Sequence, residues 1–170
     1  MKSKRWYVLA IATVLLIVVI GVSGCGGSKS SSDQKKAEDK TDYAVGETIS
    51  YEGKEVTVVS AERNYDSGNQ YYTAEAGKEF IKVNIRIENK SDSNISYNSY
   101  EWEIQDSNGD IQKVDGGLQF TADGALNSGE LAPGGNKSAD LYFQAPSGDA
   151  GLVLHYKPSF TYNKTFNIKL

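Results

Sequence analysis

One segment, Gly77–Asp92 (GKEFIKVNIRIENKSD), constrains the fold of this chain more than any other. From Ile81 onward an apolar residue occupies every second position, at Ile81, Val83, Ile85 and Ile87, with polar or charged residues between them. Successive side chains of a strand point to opposite faces of a sheet, so this period predicts a strand with one buried and one solvated face. Such strands are typical of antiparallel sheets.

Seven further segments show short strand-like patterns bounded by Gly, Asn, Asp, Ser or Pro. They are Thr48–Tyr51, Glu55–Ala61, Tyr100–Asp106, Ile111–Asp115, Ser138–Phe143, Leu152–Tyr156 and Thr165–Lys169. Seven to nine strands at this spacing, without a stretch of helical period, predict an all-β fold, an immunoglobulin-like antiparallel β-sandwich. Turns are expected at Glu52-Gly53, at Asn108-Gly109 (type I′) and at Pro133-Gly134 (type II).

Four blocks along the chain carry a family resemblance. They read GKEFIKVNIRIENKSD, YEWEIQDSNGDI, GELAPGGNKSADLYFQAP and GLVLHYKP. Together they resemble a domain-of-unknown-function family common in lipoproteins of Gram-positive bacteria and related to the immunoprotective extracellular protein. The resemblance covers roughly residues 45–158 and implies an immunoglobulin-like sandwich outside the cytoplasm. It implies no functional residues, because the blocks are sandwich patterns rather than catalytic signatures.

The N-terminus has the organisation of a signal peptide. Three positive charges lie in Met1–Arg5, and Trp6–Val22 carries no charge and is mostly aliphatic. Val22-Ser23-Gly24-Cys25 then resembles the lipobox of bacterial lipoproteins, which implies cleavage before Cys25 and acylation of its thiol. Residues 1–24 are therefore expected to be removed, and Cys25 to anchor the chain in the extracytoplasmic face of the cell membrane. The alternative is a retained transmembrane anchor, since the apolar run is almost long enough to span a bilayer.

Residues 25–42 are interpreted as a flexible tether and residues 43–170 as one folded domain. Gly26–Asp42 has no large apolar side chain and balances four basic residues with four acidic ones, so it cannot build a core. Removing the three positive charges of residues 1–24 changes the net charge of the chain from −4 to −7. A nucleic-acid surface needs clustered Lys and Arg, so this balance excludes nucleic acid as a partner.

The chain offers little that suggests catalysis, and we expect no enzyme, cofactor or metal site. His155 is the sole histidine and is expected on the solvated face of its strand. The stretch Asp106–Asp110 (DSNGD) departs from the calcium-loop pattern and reads as a hairpin turn. Glu101 and Glu103 flank Trp102, and we expect both on the solvated face, with Tyr100, Trp102 and Ile104 facing inward. As a paired-carboxylate site they remain an alternative, that of a glycoside hydrolase.

Tyrosine is the compositional oddity of the domain. Tyr65, Tyr71 and Tyr72 lie in the polar connection NYDSGNQYYTAEA, and Tyr97 and Tyr100 lie in the next connection. Tyrosine gives a large contact area at low entropic cost together with a hydroxyl group, so recognition loops favour it. These five residues are the candidate ligand-binding site, for an envelope protein, a peptide or a glycan. The alternative is that the rings only close the ends of the core.

The connection Gly116–Lys137 is long and carries six glycines, which is typical of binding loops or flexible segments. Its apolar residues Leu118, Phe120, Leu126 and Leu131 predict that part of it packs onto the domain, and it has room for a short strand. The sequence as a whole predicts a membrane-anchored, extracytoplasmic, non-catalytic binding module. A protease-inhibitor-like sandwich remains open as a further alternative.

Overall fold

The computed structural model describes residues 40–158 and 164–170. The predicted signal peptide, the lipidation site Cys25 and all but the last residues of the predicted tether lie outside them. The strands are β1 (Asp42–Ala44), β2 (Thr48–Tyr51), β3 (Lys54–Arg63), β4 (Lys78–Asn89), β5 (Ile95–Tyr97), β6 (Trp102–Gln105), β7 (Ile111–Lys113), β8 (Gly129–Leu131), β9 (Asn136–Pro146), β10 (Val153–Tyr156) and β11 (Phe166–Lys169). A 3₁₀ turn covers Ser99–Glu101, and one short helix, α1, covers Leu118–Thr121.

The strands form two main sheets. The five-stranded sheet has the order β1-β11-β10-β6-β7, and the four-stranded sheet has the order β2-β3-β4-β9. β5 and β8 form a separate two-stranded sheet. Every pair of neighbouring strands is antiparallel except β1 and β11, which are parallel. The predicted antiparallel β-sandwich is therefore confirmed, with nine strands in its two main sheets.

The core lies between the two sheets and follows the predicted alternation of β4. Ile81, Val83, Ile85 and Ile87 are buried and belong to one apolar cluster with residues of the opposite sheet. Removing a large aliphatic side chain from water contributes about 1.5–3 kcal/mol, so these four residues account for much of what holds the sheets together. On the five-stranded sheet Trp102 supplies the largest buried ring, stacked on Tyr156 with 4.6 Å between ring centroids.

The predicted turns at Glu52-Gly53 and Asn108-Gly109 both form, but their backbone geometries differ from each other. Glu52 and Gly53 both have positive φ, 48° and 78°, as a type I′ turn requires. At Asn108-Gly109 only Gly109 has positive φ, so the predicted type I′ turn is wrong there. The physical reason is Asp106, whose Oδ1 accepts from the backbone nitrogen of Asn108 (2.9 Å) and thereby supports a longer loop.

The long connection Gly116–Lys137 is largely ordered against the domain. It contains helix α1 and strand β8, so the suspected additional strand is confirmed, whereas the helical turn was not anticipated from the sequence. Leu118 and Leu126 are buried as expected, but Phe120 is 57% exposed. Among the residues the structure describes, no helix has the length and apolar character needed to cross a membrane.

Candidate functional site

The tyrosine loop, residues 64–76 between β3 and β4, is fixed to the sandwich at both ends. The backbone nitrogen of Tyr65 donates to the carbonyl oxygen of Phe80 (3.0 Å). At the other end the backbone nitrogen of Glu75 donates to Oε1 of Gln144 on β9 (2.8 Å). The loop is thus held across the outer face of the four-stranded sheet, the face that points away from the core.

Glu79, at the start of β4, holds the first residue of the tyrosine loop by a hydrogen bond. Its side chain is buried, is paired with Arg63, and accepts hydrogen bonds from the backbone nitrogens of Asn64 and Gly148 (3.0 Å each). Burial by itself would raise the pKa of this carboxyl group, but the hydrogen bonds from Gly148, Arg63 and Asn64 outweigh it and hold the pKa below its ordinary value. Glu79 therefore stays ionised at neutral pH and keeps the loop in place.

Within the loop, Asn69 positions the two adjacent tyrosines. Its Oδ1 accepts from the backbone nitrogen of Tyr71 (3.0 Å), and its carbonyl oxygen accepts from the backbone nitrogen of Tyr72 (2.9 Å). A side-chain amide that hydrogen-bonds to the backbone two residues further on stabilises a turn locally, without support from a helix or strand. The consequence is that Tyr71 projects into solvent, at 82% exposure, while Tyr72 turns toward the protein.

A second segment, residues 115–126 around α1, which we call the helical segment, packs beside the tyrosine loop. Asp115 initiates it, because its Oδ1 accepts from the backbone nitrogens of Gly117 (3.0 Å) and Leu118 (2.8 Å). The ring of Tyr72 lies against Gly117 so closely that a Cβ placed there would come within 3.1 Å of Tyr72 Cε1. The loop and the helical segment therefore form one surface.

Gln119 joins the helical segment to the edge of β9. It is fully buried; its Nε2 donates to the carbonyl oxygen of Leu126 (3.0 Å) and its Oε1 accepts from the backbone nitrogen of Tyr142 (2.8 Å). The backbone nitrogen of Leu126 also donates to the carbonyl oxygen of Asp140 (2.8 Å). The side-chain amide of Gln119 thus occupies backbone hydrogen-bonding groups at the edge strand β9, where another strand could otherwise pair.

Between the loop and the helical segment lies a pocket of about 290 Å³. It is lined by Tyr65, Ser67, Asn69, Tyr72, Lys82, Leu118, Thr121, Ala122, Asp123 and Tyr142. A second, more open pocket of about 320 Å³ adjoins it and shares Tyr65, Ser67 and Tyr72 as lining residues. The two pockets form one groove along the tyrosine loop, which we call the tyrosine groove.

Tyr142 lines the groove as a buried residue and is linked to the ring above it. The centroids of the Tyr65 and Tyr142 rings are 5.3 Å apart, and the ring planes are tilted by 49° to each other. Burial is the main cause that raises the pKa of Tyr142, with Tyr65 and Asp140 adding to it, so the hydroxyl group remains protonated. Lys82 Nζ lies 5.1 Å from the Tyr65 ring centroid and 3.4 Å from Asp140 Oδ2, so its charge is partly neutralised within the protein.

The other two predicted tyrosines lie elsewhere. Tyr97, on β5, packs against the main core, with Lys137 Nζ 5.8 Å from its ring centroid. Lys137 pairs with Ile87 near the end of β4, whereas the tyrosine loop bonds to the beginning of that strand. Tyr100 is 54% exposed in the 3₁₀ turn, so its predicted inward orientation is wrong. The structure brings Tyr65, Tyr71 and Tyr72 together and separates them from Tyr97 and Tyr100.

The expectation for Glu101 and Glu103 also needs correction. Glu101 belongs to the 3₁₀ turn rather than to a strand, and this turn directs it inward, where it pairs with Lys54 (3.3 Å). Glu103 lies on the outer side of β6 and pairs with Lys113 (3.0 Å) and Lys157. The two carboxyl groups do not share a cleft, so the arrangement that the hydrolase alternative requires is absent from the part of the chain that the structure describes.

The remaining candidate groups have structural partners. His155 lies on the outer face of β10, as predicted, and its ring nitrogens are 2.9 Å from Asn167 Oδ1 and Gln105 Oε1. The stretch Asp106–Asp110 is a turn between β6 and β7, as expected. Within residues 40–158 and 164–170, no cluster of three or more His, Cys, Asp or Glu side chains could hold a metal ion.

The family model described as a domain of unknown function (DUF4352) matches residues 43–168. The chain belongs to this family. The match spans most of the chain, which confirms the membership predicted from the sequence blocks. No curated protein matches the chain.

Three solved structures show the same fold at low sequence identity. The yjhA protein of Bacillus subtilis is 16% identical, with 75% of this chain and 98% of that chain covered and a TM-score of 0.52. The candidate lipoprotein ycdA of Bacillus subtilis is 16% identical, with 77% and 39% covered and a TM-score of 0.53. The secreted protein MPT63 of Mycobacterium tuberculosis is 7% identical, with 77% and 98% covered and a TM-score of 0.60.

Lys82, Tyr142, Asp123 and Thr121 line the groove but were missed in the sequence. Lys82 and Tyr142 are cross-strand partners on the outer face of β4 and β9. A sequence signal for Tyr142 existed, because it places a large ring at an outward position between the inward residues Leu141 and Phe143. An aromatic residue on an otherwise polar face indicates that something covers it. No comparable signal marks Asp123 or Thr121, whose place depends on the path of the helical segment.

Proposed function

We propose that this chain is a lipid-anchored, extracytoplasmic binding module that holds its ligand in the tyrosine groove without catalysing a reaction. The observation that carries the proposal is the groove itself. Two chain segments, each held on the sheet by a buried polar side chain, enclose a cavity of about 290 Å³ against β9. Tyr65 and Tyr72 of the loop and Tyr142 of β9 line this cavity. Loops that are held by a rigid scaffold and lined with aromatic and polar side chains are typical recognition sites.

Exposed aromatic rings on the two segments that line the groove support the same proposal. Tyr71 is 82% exposed and neighbours Tyr72 in the loop, and Phe120 is 57% exposed in α1. These rings offer apolar area that a ligand bound in the groove can cover, and aromatic residues are enriched among the positions that dominate binding energy.

The non-catalytic part of the proposal is supported by the chemistry of the groove. Neither of its two pockets is lined by a histidine or cysteine among the described residues. Glu79 in the second pocket is paired with Arg63, and Lys82 in the first is paired with Asp140. Tyr142 remains protonated because burial raises its pKa. Such a lining can donate and accept hydrogen bonds but lacks the pairing of nucleophile and base that activates a reaction.

The anchor is proposed on Cys25 and its flanking sequence. Acylation there would attach the domain through the tether of residues 25–42, and two acyl chains suffice for durable membrane binding. The secreted MPT63 and the candidate lipoprotein ycdA, which share the fold, are consistent with a place outside the cytoplasm.

Binding of the full chain in detergent to isolated cell-envelope fragments tests the proposal. The variant combines Tyr71→Ala and Phe120→Ala, two exposed positions where truncation leaves the core intact. Tyr100→Ala is the matched control, an exposed tyrosine outside the groove. We expect the double variant to bind about tenfold more weakly or worse, as loss of aromatic anchors predicts, and the control to bind like the wild type. Asp123→Asn, at a residue that lines the first pocket, is measured beside them. Equal binding by the double variant would refute a contact at the two exposed rings, and equal binding by Asp123→Asn as well would refute the groove as the site.

A further inference from the structure

The tyrosine groove has the chemistry of a sugar site. Resting on the function proposed above, we infer that its ligand is a glycan of the cell envelope, recognised through the faces and hydroxyl groups of its sugar rings. The groove joins two adjoining pockets, of about 290 and 320 Å³, around Tyr65 and Tyr72. Two adjoining pockets of this size can each take one or two units of a chain of small repeated units.

The aromatic side chains supply one half of sugar recognition. Tyr65 and Tyr72 line both pockets, and Tyr71 and Phe120 stand exposed on the two segments that form the groove. A pyranose ring presents a flat face of C–H groups, which packs against an aromatic ring and shields it from water. Aromatic rings offer large apolar areas for such contact and lose little conformational freedom.

The polar side chains supply the other half. Ser67, Asn69, Thr121 and Asp123 line the first pocket and provide hydroxyl, amide and carboxylate groups. Each can donate to or accept from sugar hydroxyl groups, which act in both directions. Lys82 in the first pocket is paired with Asp140 at 3.4 Å, and Lys78 in the second pocket is paired with Glu75 at 2.7 Å. Neither lysine is therefore a free positive charge that would select a phosphate or another anion. The lining therefore favours a ligand that is polar and rich in hydroxyl groups.

A peptide bound as an added strand fits this site less well. That mode needs an open sheet edge with free backbone groups. The β9 edge beside the groove is already occupied, because Gln119 bonds the backbone nitrogen of Tyr142 and Leu126 bonds Asp140. The contacts left to a ligand are ring faces and side-chain hydrogen bonds, which are the contacts a glycan uses.

Chemical treatment of the envelope fragments tests the inference. One portion is treated with trifluoromethanesulfonic acid, which cleaves glycosidic bonds and leaves peptide bonds, and another portion is digested with a broad protease. Both are offered to the full chain in detergent, together with the double variant Tyr71→Ala/Phe120→Ala and the control Tyr100→Ala. A third variant, Asp123→Asn, removes a carboxylate at an exposed position where folding is unaffected.

We expect binding by the wild type and by the control to survive the protease and to disappear after the acid. The double variant and Asp123→Asn should each bind untreated fragments about tenfold more weakly, which corresponds to about 1.4 kcal/mol. Binding that depends on the groove but survives the acid and disappears after the protease would overturn the glycan inference and leave the proposed function standing. Binding that the double variant and Asp123→Asn both retain in full would overturn both.

Discussion

The buried ion pair between Lys54 and Glu101 makes the stability of the domain depend on pH in an unusual direction. Lys54 Nζ lies 3.3 Å from Glu101 Oε2, and the two side chains are only 10% and 5% exposed. Asn98 Nδ2 also donates to Glu101 Oε1 (3.3 Å), and Lys54 Nζ lies 6.0 Å from the ring centroid of Tyr156. Burial has the largest effect on the Glu101 carboxyl group and raises its pKa from 4.5 to about 7, although Lys54 opposes the shift.

The sign of the effect follows from linkage. The folded protein holds the Glu101 proton more tightly than the unfolded chain, so folding is most favourable below pH 4.5 and this contribution is lost as the pH rises toward 7. A pKa difference of this size corresponds to a loss of about 3 kcal/mol between pH 4.5 and pH 8. Glu79 and Glu103 have lowered pKa values, so both remain ionised in the folded protein throughout that range, whereas the same groups in the unfolded chain still bind protons near pH 4.5. They therefore add a small rise in stability at the acid end of the range, opposite in sign to the larger effect of Glu101.

Urea unfolding of residues 40–170 at pH 5, 6, 7 and 8, followed by the fluorescence of Trp102, measures this loss. We expect the free energy of unfolding to fall by about 2–3 kcal/mol from pH 5 to pH 8. Glu101→Gln, a neutral side chain of the same shape, should remove the slope. Lys54→Met should steepen it, because the cation that favours the carboxylate is gone. A wild-type stability that is flat or rises over this range would refute the reasoning, as would a Gln variant with the wild-type slope.

Two further substitutions test the packing and the edge cover by the same urea assay. Ile85→Ala removes a fully buried side chain between the sheets and should lower the free energy of unfolding by about 3–4 kcal/mol. The control Val59→Ala, at a half-exposed position, should change it by less than about 0.5 kcal/mol. Similar effects of the two substitutions would contradict the described core. Gln119→Leu leaves the backbone nitrogen of Tyr142 and the carbonyl oxygen of Leu126 without the Gln119 amide, and it should lower the free energy of unfolding by about 2–4 kcal/mol. A change below about 0.5 kcal/mol would show that the Gln119 amide does not hold the helical segment on β9.

The strands could be predicted because their signal is local. The alternation from Ile81 to Ile87 fixes which face of β4 is buried, and the residues themselves carry that information. The three-residue strands β1 and β5 escaped detection, and β8 was expected only as a short strand without a defined position, because three residues establish no period of their own. Strand β7 is equally short but follows the turn signal Asn108-Gly109, which located it. Their existence depends on a partner: β1 forms only because β11 lies beside it.

Only the part of the site that lies within one connection could be predicted, because the other part depends on contacts between segments distant in sequence. Tyrosine enrichment pointed to Tyr65, Tyr71 and Tyr72, since composition within one connection is a local property. Which other segments meet that connection depends on the path of residues 115–126, which Asp115 and Gln119 determine through contacts distant in sequence. The inward turn of Glu101 was equally hidden, because a 3₁₀ turn shifts the alternation that a strand would continue.

Mapping where a ligand contacts the domain shows directly whether the tyrosine groove is the binding site. Soluble oligosaccharides released from envelope fragments would be titrated into isotopically labelled protein while backbone amide resonances are recorded. We expect shifts concentrated in residues 64–76 and 115–126 and on the outer face of β4 and β9 near Lys82 and Tyr142. Shifts concentrated instead around Tyr97 and Tyr100, or on the outer face of the five-stranded sheet around His155, would contradict it.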